Sequence, residues 1–313
     1  MDKIRVLFMG TPDFAVGCLE MLLNREDIDV LGVVTQPDRQ SGRGYKLLPP
    51  PVKVVAEEKG IEVLQPLTVK DEAFESYIKE KNPDLIIVIA YGRIIPKFVL
   101  EYPRFGCINV HGSILPKYRG AAPIQWAVLN GEKETGVTTM MMDEGLDTGD
   151  MLVVKKLPIG EYDTSGTMFE KLAELSKDAL SETIDLIKEG KLERIPQNHN
   201  EMTYAPMISK EMSYIDFNKT ATEVYNAIRG YYSWPCAFFF LNGKRIKVTE
   251  AQVAENTKAI AGTVVSNNNE LVIACGGNTA IRLISVIPEG AKPMKAAQML
   301  LGNPITVGTK IGE

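Results

Sequence analysis

The 313-residue sequence contains no apolar run near the roughly 18 residues that a membrane-crossing helix needs. Its first nine residues hold only a short apolar stretch, which is not the pattern of a signal peptide. Four widely spaced cysteines and only two histidines argue against a disulfide framework and against the usual zinc sites. We therefore expect a protein of the cytoplasm that has no contact with a membrane and no metal.

Three common functional motifs are also missing. The turn after the first predicted strand reads Gly10-Thr-Pro-Asp-Phe-Ala15, which does not match the G-x-G-x-x-G pattern of dinucleotide-binding folds. Neither the G-x-x-x-x-G-K-[ST] motif of phosphate-binding loops nor the G-x-S-x-G motif of serine hydrolases occurs. These absences disfavour NAD chemistry, ATP hydrolysis and serine-hydrolase chemistry.

Charge is unevenly distributed along the chain. The formal net charge is −5, made up of −8 over residues 1–205 and +3 over residues 206–313. An acidic total argues against a general nucleic-acid coat protein. It leaves room for a local basic surface in the last third, although a solvated surface explains a difference of this size equally well.

The first half alternates short apolar runs with helical patterns. Continuous Val- and Ile-rich runs are typical of strands buried on both faces, and alternation with helices predicts βαβ units. We therefore expect an α/β domain with a Rossmann-like open, mostly parallel sheet. The predicted strands are Ile4–Met9, Val30–Thr35, Leu85–Ala90 and Cys107–His111, and the helices span residues 14–23, 53–59 and 72–81.

Two more predicted strands (137–142 and 151–157) and a helix of about 22 residues complete the first part of the chain. The pattern changes after residue 190, where a polar stretch at 190–208 is predicted to be a linker. Five short strands with tight turns follow, including an Asn242-Gly243 hairpin signal. The pattern predicts a first domain at 1–189 and a second at 209–313. The second is a small β-barrel, with an OB-like barrel as one option.

Asn109 and His111 form the most informative pair of polar residues. Side chains alternate along a strand, so both lie on one face at the carboxyl end of a predicted strand, where open α/β sheets bind ligands. A hydrogen-bonded asparagine beside a capping histidine is the structural alternative.

A second polar cluster holds four acidic residues around glycines. One hypothesis is that a carboxylate from this cluster returns to the imidazole of His111, fixing its tautomer and stabilising its cation. The alternative is a solvent-facing acidic turn. The cluster contains Asp143, Glu144, Asp147 and Asp150.

Residues 36–51 form a long segment without periodicity. It carries Arg39, Arg43 and Lys46 beside Tyr45, a composition suited to contact with phosphates and bases. A solvated loop is the alternative.

Four stretches together resemble the folate-dependent formyltransferases over essentially the whole chain. They are Gly10-Thr-Pro-Asp-Phe14, Val88-Ile-Ala-Tyr-Gly92, the segment from Asn109-Val-His111 to Gln125, and Met142-Asp-Glu-Gly-Leu-Asp-Thr-Gly-Asp-Met151.

The resemblance implies transfer of a formyl group from 10-formyltetrahydrofolate to the α-amine of methionine esterified to initiator tRNA. Separately, we expect a monomer. The family's catalytic residues correspond to Asn109, His111 and Asp147. The implied folate site comprises Phe14, Ile89, Ala90, Tyr91, Gly92, Ser113, Ile114, Leu115 and Pro116. The implied tRNA contacts are Arg43 and a basic part of the second domain, for which we select Lys244, Arg245 and Lys247.

Three other functions stay open at this point. A formyltransferase acting on an amino-sugar nucleotide would share the catalytic residues and the two-domain plan. A formyl-folate hydrolase would use water in place of the amine. A non-enzymatic OB-type RNA-binding protein would have no need of Asn109, His111 and Asp147 together.

Overall fold

Strands and helices alternate through the first two thirds of the chain in the computed structural model, which describes residues 3–41 and 46–311. In chain order the first strands are β1 (Ile4–Gly10), β2 (Ile28–Val34), β3 (Arg39–Ser41), β4 (Lys46–Leu48), β5 (Val63–Leu64), β6 (Leu85–Ile89), β7 (Cys107–His111), β8 (Glu134–Met141) and β9 (Met151–Pro158). The helices of this part are α1 (Asp13–Leu23), α2 (Pro51–Glu58), α3 (Glu72–Lys81), α4 (Lys97–Leu100), α5 (Pro123–Leu129) and α6 (Ser165–Glu189).

The last third consists mainly of strands. They are β10 (Ala237–Leu241), β11 (Lys244–Ala254), β12 (Val264–Ser266), β13 (Leu271–Cys275), β14 (Thr279–Pro288) and β15 (Met294–Lys295). Helices α7 (Ala221–Gly230) and α8 (Ala296–Gly302) flank them. Within the described ranges, no helix is long and apolar enough to cross a bilayer.

The chain forms two compact units, each made of three segments. Unit 1 comprises Met1–Gly120, Thr135–Leu157 and Phe169–Tyr204. Unit 2 comprises Ala121–Glu134, Pro158–Met168 and Ala205–Glu313.

A seven-stranded sheet forms the centre of unit 1, in the order β5-β2-β1-β6-β7-β8-β9. Strands β5, β2, β1, β6 and β7 are parallel to one another, and β8 is antiparallel to β7. The predicted mostly parallel, Rossmann-like sheet is therefore confirmed. Every residue of β6 is buried, as expected for an apolar strand covered on both faces.

The strand order reverses between β1 and β6. The chain proceeds outward from β1 through β2 to β5, and then returns to the other side of β1 at β6. The crevice at the carboxyl ends of β1 and β6 is thus the switch point where open α/β sheets bind ligands. His111, the last residue of β7, ends at the same edge.

Two helices show how local sequence sets element bounds. The side chain of Asp71 accepts a hydrogen bond from the backbone of Phe74 and begins α3, and Asn82, with a φ of 45°, ends it. The predicted helix at 72–81 is confirmed at both ends. Helix α6 is longer than predicted, at 25 residues, and buries Met168, Leu172 and Ala179.

The segment at 36–51 contains more structure than its composition predicts. Residues Arg39–Ser41 pair with Lys46–Leu48 in a two-stranded antiparallel ladder, and α2 starts at Pro51. Tertiary pairing therefore supplies structure where no periodicity indicates it. Arg43 and Tyr45 lie outside the described residues.

Unit 2 contains a separate antiparallel sheet, in the order β10-β11-β14-β13-β12, with β15 paired to β14. Asn242 and Gly243 join β10 to β11 with φ angles of 50° and 73°, so the predicted hairpin is confirmed. The core of this unit includes Phe239, Val248 and Ile281.

Candidate active site

Asn109 and His111 lie two residues apart on β7, between β6 and β8. Val88 and Met140 are the neighbours of Asn109 in the adjacent strands, and Thr138 is the neighbour of His111. Two-residue spacing gives both side chains the same face of the strand. His111 is buried, whereas Asn109 is half-buried.

The two ring nitrogens of His111 have different surroundings. Nε2 lies 2.9 Å from the carbonyl oxygen of Tyr118. A carbonyl oxygen can only accept a hydrogen bond, so Nε2 carries a proton and donates it. In the neutral ring Nδ1 is therefore the basic nitrogen. Nδ1 lies 3.8 Å from Oδ2 of Asp147, within range of an ion pair once the ring is protonated.

The sequence hypothesis gave one carboxylate two roles, fixing the tautomer of His111 and stabilising its cation. In the structure, different groups are placed for these two roles. The carbonyl of Tyr118 fixes the tautomer, and Asp147 faces the nitrogen that gains a proton. The hypothesis that a carboxylate fixes the tautomer is therefore wrong, because the backbone already does so. The geometry is suited to the second role, stabilisation of the cation.

Asp147 occupies a strained position in the segment between β8 and β9. Its φ of 51° lies in the left-handed region, which costs a non-glycine residue roughly 1–3 kcal/mol and persists only where neighbours hold it. Its Oδ2 accepts a hydrogen bond of 2.8 Å from the backbone of Gly120. This bond holds the same carboxylate oxygen that faces His111.

The neighbouring acidic residues have local partners. Asp143 accepts hydrogen bonds from the backbone of Gly145 and from the hydroxyl of Thr148, as in a simple acidic turn. Glu144 pairs with Lys97 at 3.2 Å. Asp143 therefore fits the alternative of an acidic turn, whereas Asp147 fits the hypothesis of a carboxylate that faces His111.

The segment after β7 is fixed by the hydroxyl of Thr138. That hydroxyl donates to the carbonyl of Ser113 at 2.7 Å and accepts from the backbone of Leu115 at 3.2 Å. The side chain of Ser113 donates to the carbonyl of Lys117. Ser113 and Leu115 are buried, and Ile114 and Pro116 are half-buried. The backbone of this segment is thus held against β8, next to His111.

The switch-point residues predicted from the sequence differ in their surroundings. Phe14, in the first turn of α1, is half-buried and packs edge-on against Phe169 with ring centroids 6.2 Å apart. Ala90 and Gly92 follow β6 and are exposed, both with positive φ. Ile89 is fully buried in the strand.

Tyr91 contributes its backbone rather than its ring to this edge. The ring packs in the hydrophobic core, and burial raises the pKa of its hydroxyl. Its carbonyl accepts hydrogen bonds from the side chains of Gln36 and Thr11. Gln36 also accepts from the guanidinium of Arg93, so the loops after β1, β2 and β6 are joined.

The predicted basic residues of the last third lie on β11. The guanidinium of Arg245 lies 4.6 Å from the ring centroid of Phe238 and 6.0 Å from that of Phe240, so two aromatic rings support it. Arg245 and Lys247 line a surface groove of about 500 Å³ together with Phe240, Gly243, Ile287, Pro288, Glu289, Gly290 and Ala291. Lys244 is exposed at the start of the strand.

Thiol chemistry is disfavoured throughout the molecule. All four cysteines are buried, and burial raises the pKa of each thiol. A thiolate is therefore scarce at neutral pH. In the described ranges, no group of three or more His, Cys, Asp or Glu side chains is placed to hold a metal ion.

Sequence reasoning missed three polar residues that organise this site: Thr138, Gln36 and Gln197. Thr138 lies in a strand that is buried along almost its whole length, where its hydroxyl gives no periodic signal. Gln197 lies in the polar stretch predicted as a linker, yet it is buried and donates hydrogen bonds to the carbonyls of Asp147 and Gly149. Its contacts are some 50 residues distant in sequence, which no local pattern indicates.

Both halves of the chain are similar to known proteins. The family model described as Formyl transferase matches residues 2–184, and that described as Formyl transferase, C-terminal domain matches residues 207–304. A methionyl-tRNA formyltransferase of Caldanaerobacter subterraneus subsp. tengcongensis is 49% identical over 308 residues, covering 98% of this chain and 99% of that protein. One from Desulfotalea psychrophila is also 49% identical over 308 residues, covering 98% and 95%.

A solved structure shares the fold at lower identity. The N-formyltransferase from Helicobacter canadensis, in complex with folinic acid and dTDP-3-aminofucose, has a TM-score of 0.66 and 21% identity, covering 90% of this chain and 99% of that one. The family resemblance predicted from the sequence motifs is thus confirmed by matches over both halves of the chain. The chain belongs to the formyl transferase family.

Proposed function

We propose that the protein transfers the formyl group of 10-formyltetrahydrofolate to the α-amine of methionyl initiator tRNA. The observation that carries the proposal is the pair formed by His111 and Asp147, with Nδ1 and Oδ2 3.8 Å apart. His111 lies on the strand that also bears Asn109. Nearly full-length relatives at 49% identity, named methionyl-tRNA formyltransferases, support the choice of acceptor.

The reaction needs an oxyanion stabiliser and a route for one proton. A free α-amine has a pKa of roughly 7.7–8.0, and its ester neighbour lowers this, so much of the amine is an uncharged nucleophile at neutral pH. It attacks the formyl carbon and forms the new C–N bond, and the bond from that carbon to N10 of the folate then breaks. The proton lost by the amine is gained by N10.

Three side chains would perform these tasks. The amide of Asn109 donates to the oxyanion on the formyl carbon. Nδ1 of His111 accepts the proton of the attacking amine and delivers it to N10. Asp147 stabilises the imidazolium in between. The protonated Nε2 of His111 leaves Nδ1 as the nitrogen available for this transfer.

The folate would bind along the carboxyl edge of the sheet. We assign Phe14, the last residue of β6 and the three residues after it (89–92) to one side of it, and the Ser113–Pro116 segment to the other. The support is their position at the switch point of the strand order and beside His111. Folinic acid in the related Helicobacter canadensis structure agrees with a folate ligand.

Thr138 provides a test of the folate assignment. Thr138→Val removes the hydroxyl that fixes Ser113 and Leu115, so we expect the KM for 10-formyltetrahydrofolate to rise about ten-fold, equivalent to roughly 1.4 kcal/mol. Thr139→Val is the matched control, because its buried hydroxyl instead contacts Val153 and Thr183. Steady-state kinetics on both variants measure the difference. An equal KM in the two variants would contradict the assignment.

The tRNA would be held by Arg43 and by the basic strand β11. Lys244, Arg245 and Lys247 lie in the part of the chain with a net charge of +3, and Arg245 is supported by aromatic rings. We propose that residues 209–313 form an OB-like tRNA-binding domain, that 1–189 form the catalytic domain, and that 190–208 link them. We also propose that the protein acts as a cytoplasmic monomer.

The tRNA assignment predicts a specific effect of Arg43→Ala. We expect kcat/KM for charged tRNA to fall about ten-fold and the folate KM to stay unchanged, because a phosphate contact is lost. Lys258→Ala, which removes a charge from an exposed site off the sheet, is the control. The salt dependence of tRNA binding should also become less steep in Arg43→Ala. Equal effects of the two variants would contradict the assignment.

The acceptor is tested directly by comparing three acceptors in separate reactions. The protein is incubated with 10-formyltetrahydrofolate and one of three acceptors: charged initiator tRNA, charged elongator tRNA or an amino-sugar nucleotide. Formylation of initiator tRNA at least ten-fold faster than of the others supports the proposal. Faster formylation of the amino sugar, or release of formate without an acceptor, would identify one of the alternative functions.

A further inference from the structure

Arg119 and Gln197 form a buried polar pair with no assigned role. Their exposed fractions are 4% and 6%. The Nε and Nη2 atoms of Arg119 donate to Oε1 of Gln197 at 3.0 and 2.6 Å. An arginine can only donate, so these bonds fix the orientation of the Gln197 amide, with its nitrogen directed away from the guanidinium.

The nitrogen of that amide holds the backbone at Asp147. Nε2 of Gln197 donates to the carbonyl of Asp147 at 2.9 Å and to that of Gly149 at 2.7 Å. Both carbonyls belong to the turn in which Asp147 adopts its positive φ. The turn is also pressed against β8, since a Cβ at Gly149 would lie 1.7 Å from the carbonyl oxygen of Met141.

The residues on either side of Arg119 contact the same histidine–carboxylate pair. The carbonyl of Tyr118 accepts from Nε2 of His111, and the backbone of Gly120 donates to Oδ2 of Asp147. Thr203 holds this segment in turn, accepting from Arg119 through its carbonyl and from Tyr118 through its hydroxyl. Residues 118–120 therefore contact both partners, and Gln197 connects them to the turn at 147–149.

We propose that Gln197, oriented by Arg119, is a positioning residue that keeps the carboxylate of Asp147 at Nδ1 of His111. The inference rests on the proposed function, in which that pair moves the proton. Gln197 touches neither reacting group and acts through the backbone of Asp147. Misplacement of a catalytic group by about 1 Å costs on the order of 10²-fold in rate. Loss of the hydrogen bonds from Gln197 to the backbone at residues 147 and 149 should therefore have a measurable effect on the rate.

The kinetic test combines Gln197→Met with Asp147→Ala in a double-mutant cycle. We expect Gln197→Met alone to lower kcat about 10- to 100-fold, with the KM for both substrates within two-fold of the wild type. In the Asp147→Ala background the same change should alter kcat less than two-fold, because no carboxylate remains to be positioned. An equal loss in both backgrounds would show a general structural role and overturn the proposal.

A second variant separates positioning from stability. Gln197→Glu keeps an oxygen acceptor for Arg119 but cannot donate to the two carbonyls. The two carbonyls lose their donor, so we expect a lower melting temperature. Under conditions where urea unfolding shows the variant to be folded, kcat should be reduced as in Gln197→Met. Wild-type kcat in folded Gln197→Glu would overturn the proposal.

A crystal structure of Gln197→Glu supplies a readout independent of activity. The expected result is that Oδ2 of Asp147 moves away from its 3.8 Å position at Nδ1 of His111. An unmoved carboxylate would overturn the positioning role whatever reaction the enzyme catalyses. Failure of the proposed function would show differently, as a wild-type protein that does not formylate initiator tRNA.

Discussion

Replacement of His111 by alanine is expected to lower kcat for formyl transfer about 10²- to 10⁴-fold, the range for a positioned acid–base group. Nδ1 of His111 is the basic nitrogen of the ring and faces Asp147, and the variant removes both the proton acceptor and the partner of the carboxylate. Single-turnover formylation of charged initiator tRNA measures the chemical step. The affinities for tRNA and folate should change less than about three-fold.

Two controls make this result specific. Urea unfolding of His111→Ala separates a fold defect from a catalytic one, since the ring is buried and its loss leaves a cavity. Asp147→Asn keeps a side chain that tolerates the positive φ at residue 147 while removing the negative charge, so it should lose kcat without unfolding. Turnover within ten-fold of the wild type in folded His111→Ala would remove the histidine from the mechanism.

Replacement of Asn109 by alanine is expected to lower kcat about 10²- to 10³-fold, the loss associated with removing one oxyanion donor. Asn109 lies on the same strand face as His111 and is half-buried, so its amide is open to a ligand at the carboxyl edge of the sheet. The KM values should change little, because an oxyanion exists only in the transition state and the tetrahedral intermediate.

The isosteric change Asn109→Asp provides the matching comparison. It keeps the shape of the side chain but replaces a donor by an acceptor, so kcat should fall at least as far as in Asn109→Ala. A larger loss of kcat in Asn109→Ala than in Asn109→Asp would indicate that Asn109 fills space rather than donating to the oxyanion. Equal retention of activity in both would exclude it from catalysis.

The sequence predicts much of the framework because local patterns determine it. Strand β7 and helix α3 have the predicted bounds, since an apolar run and a capped amphipathic repeat specify them locally. The hairpin at Asn242-Gly243 follows from residues that tolerate positive φ. The spacing of Asn109 and His111 likewise sets their common face.

The contacts that complete the site are non-local and give no such signal. The carbonyl of Tyr118 holds His111 through the main chain, which any residue could provide. Gln197 reaches Arg119 across 78 positions and Asp147 across 50, within a stretch whose composition indicates a linker. A pattern of residue types therefore identifies the reacting groups, whereas the hydrogen bonds that hold them become visible only in three dimensions.

Unit 2 is built from three separate segments of the chain, which limits how the protein can be divided into fragments. A fragment that starts at Ala205 would lack α5, whose Trp126 donates through its indole nitrogen to the carbonyl of Pro206. It would also lack the segment from which Ser165 donates to the carbonyl of Gly230. Exchange of this unit between relatives therefore requires three coordinated grafts, since one cut after Tyr204 would leave the transplanted piece without part of its own framework.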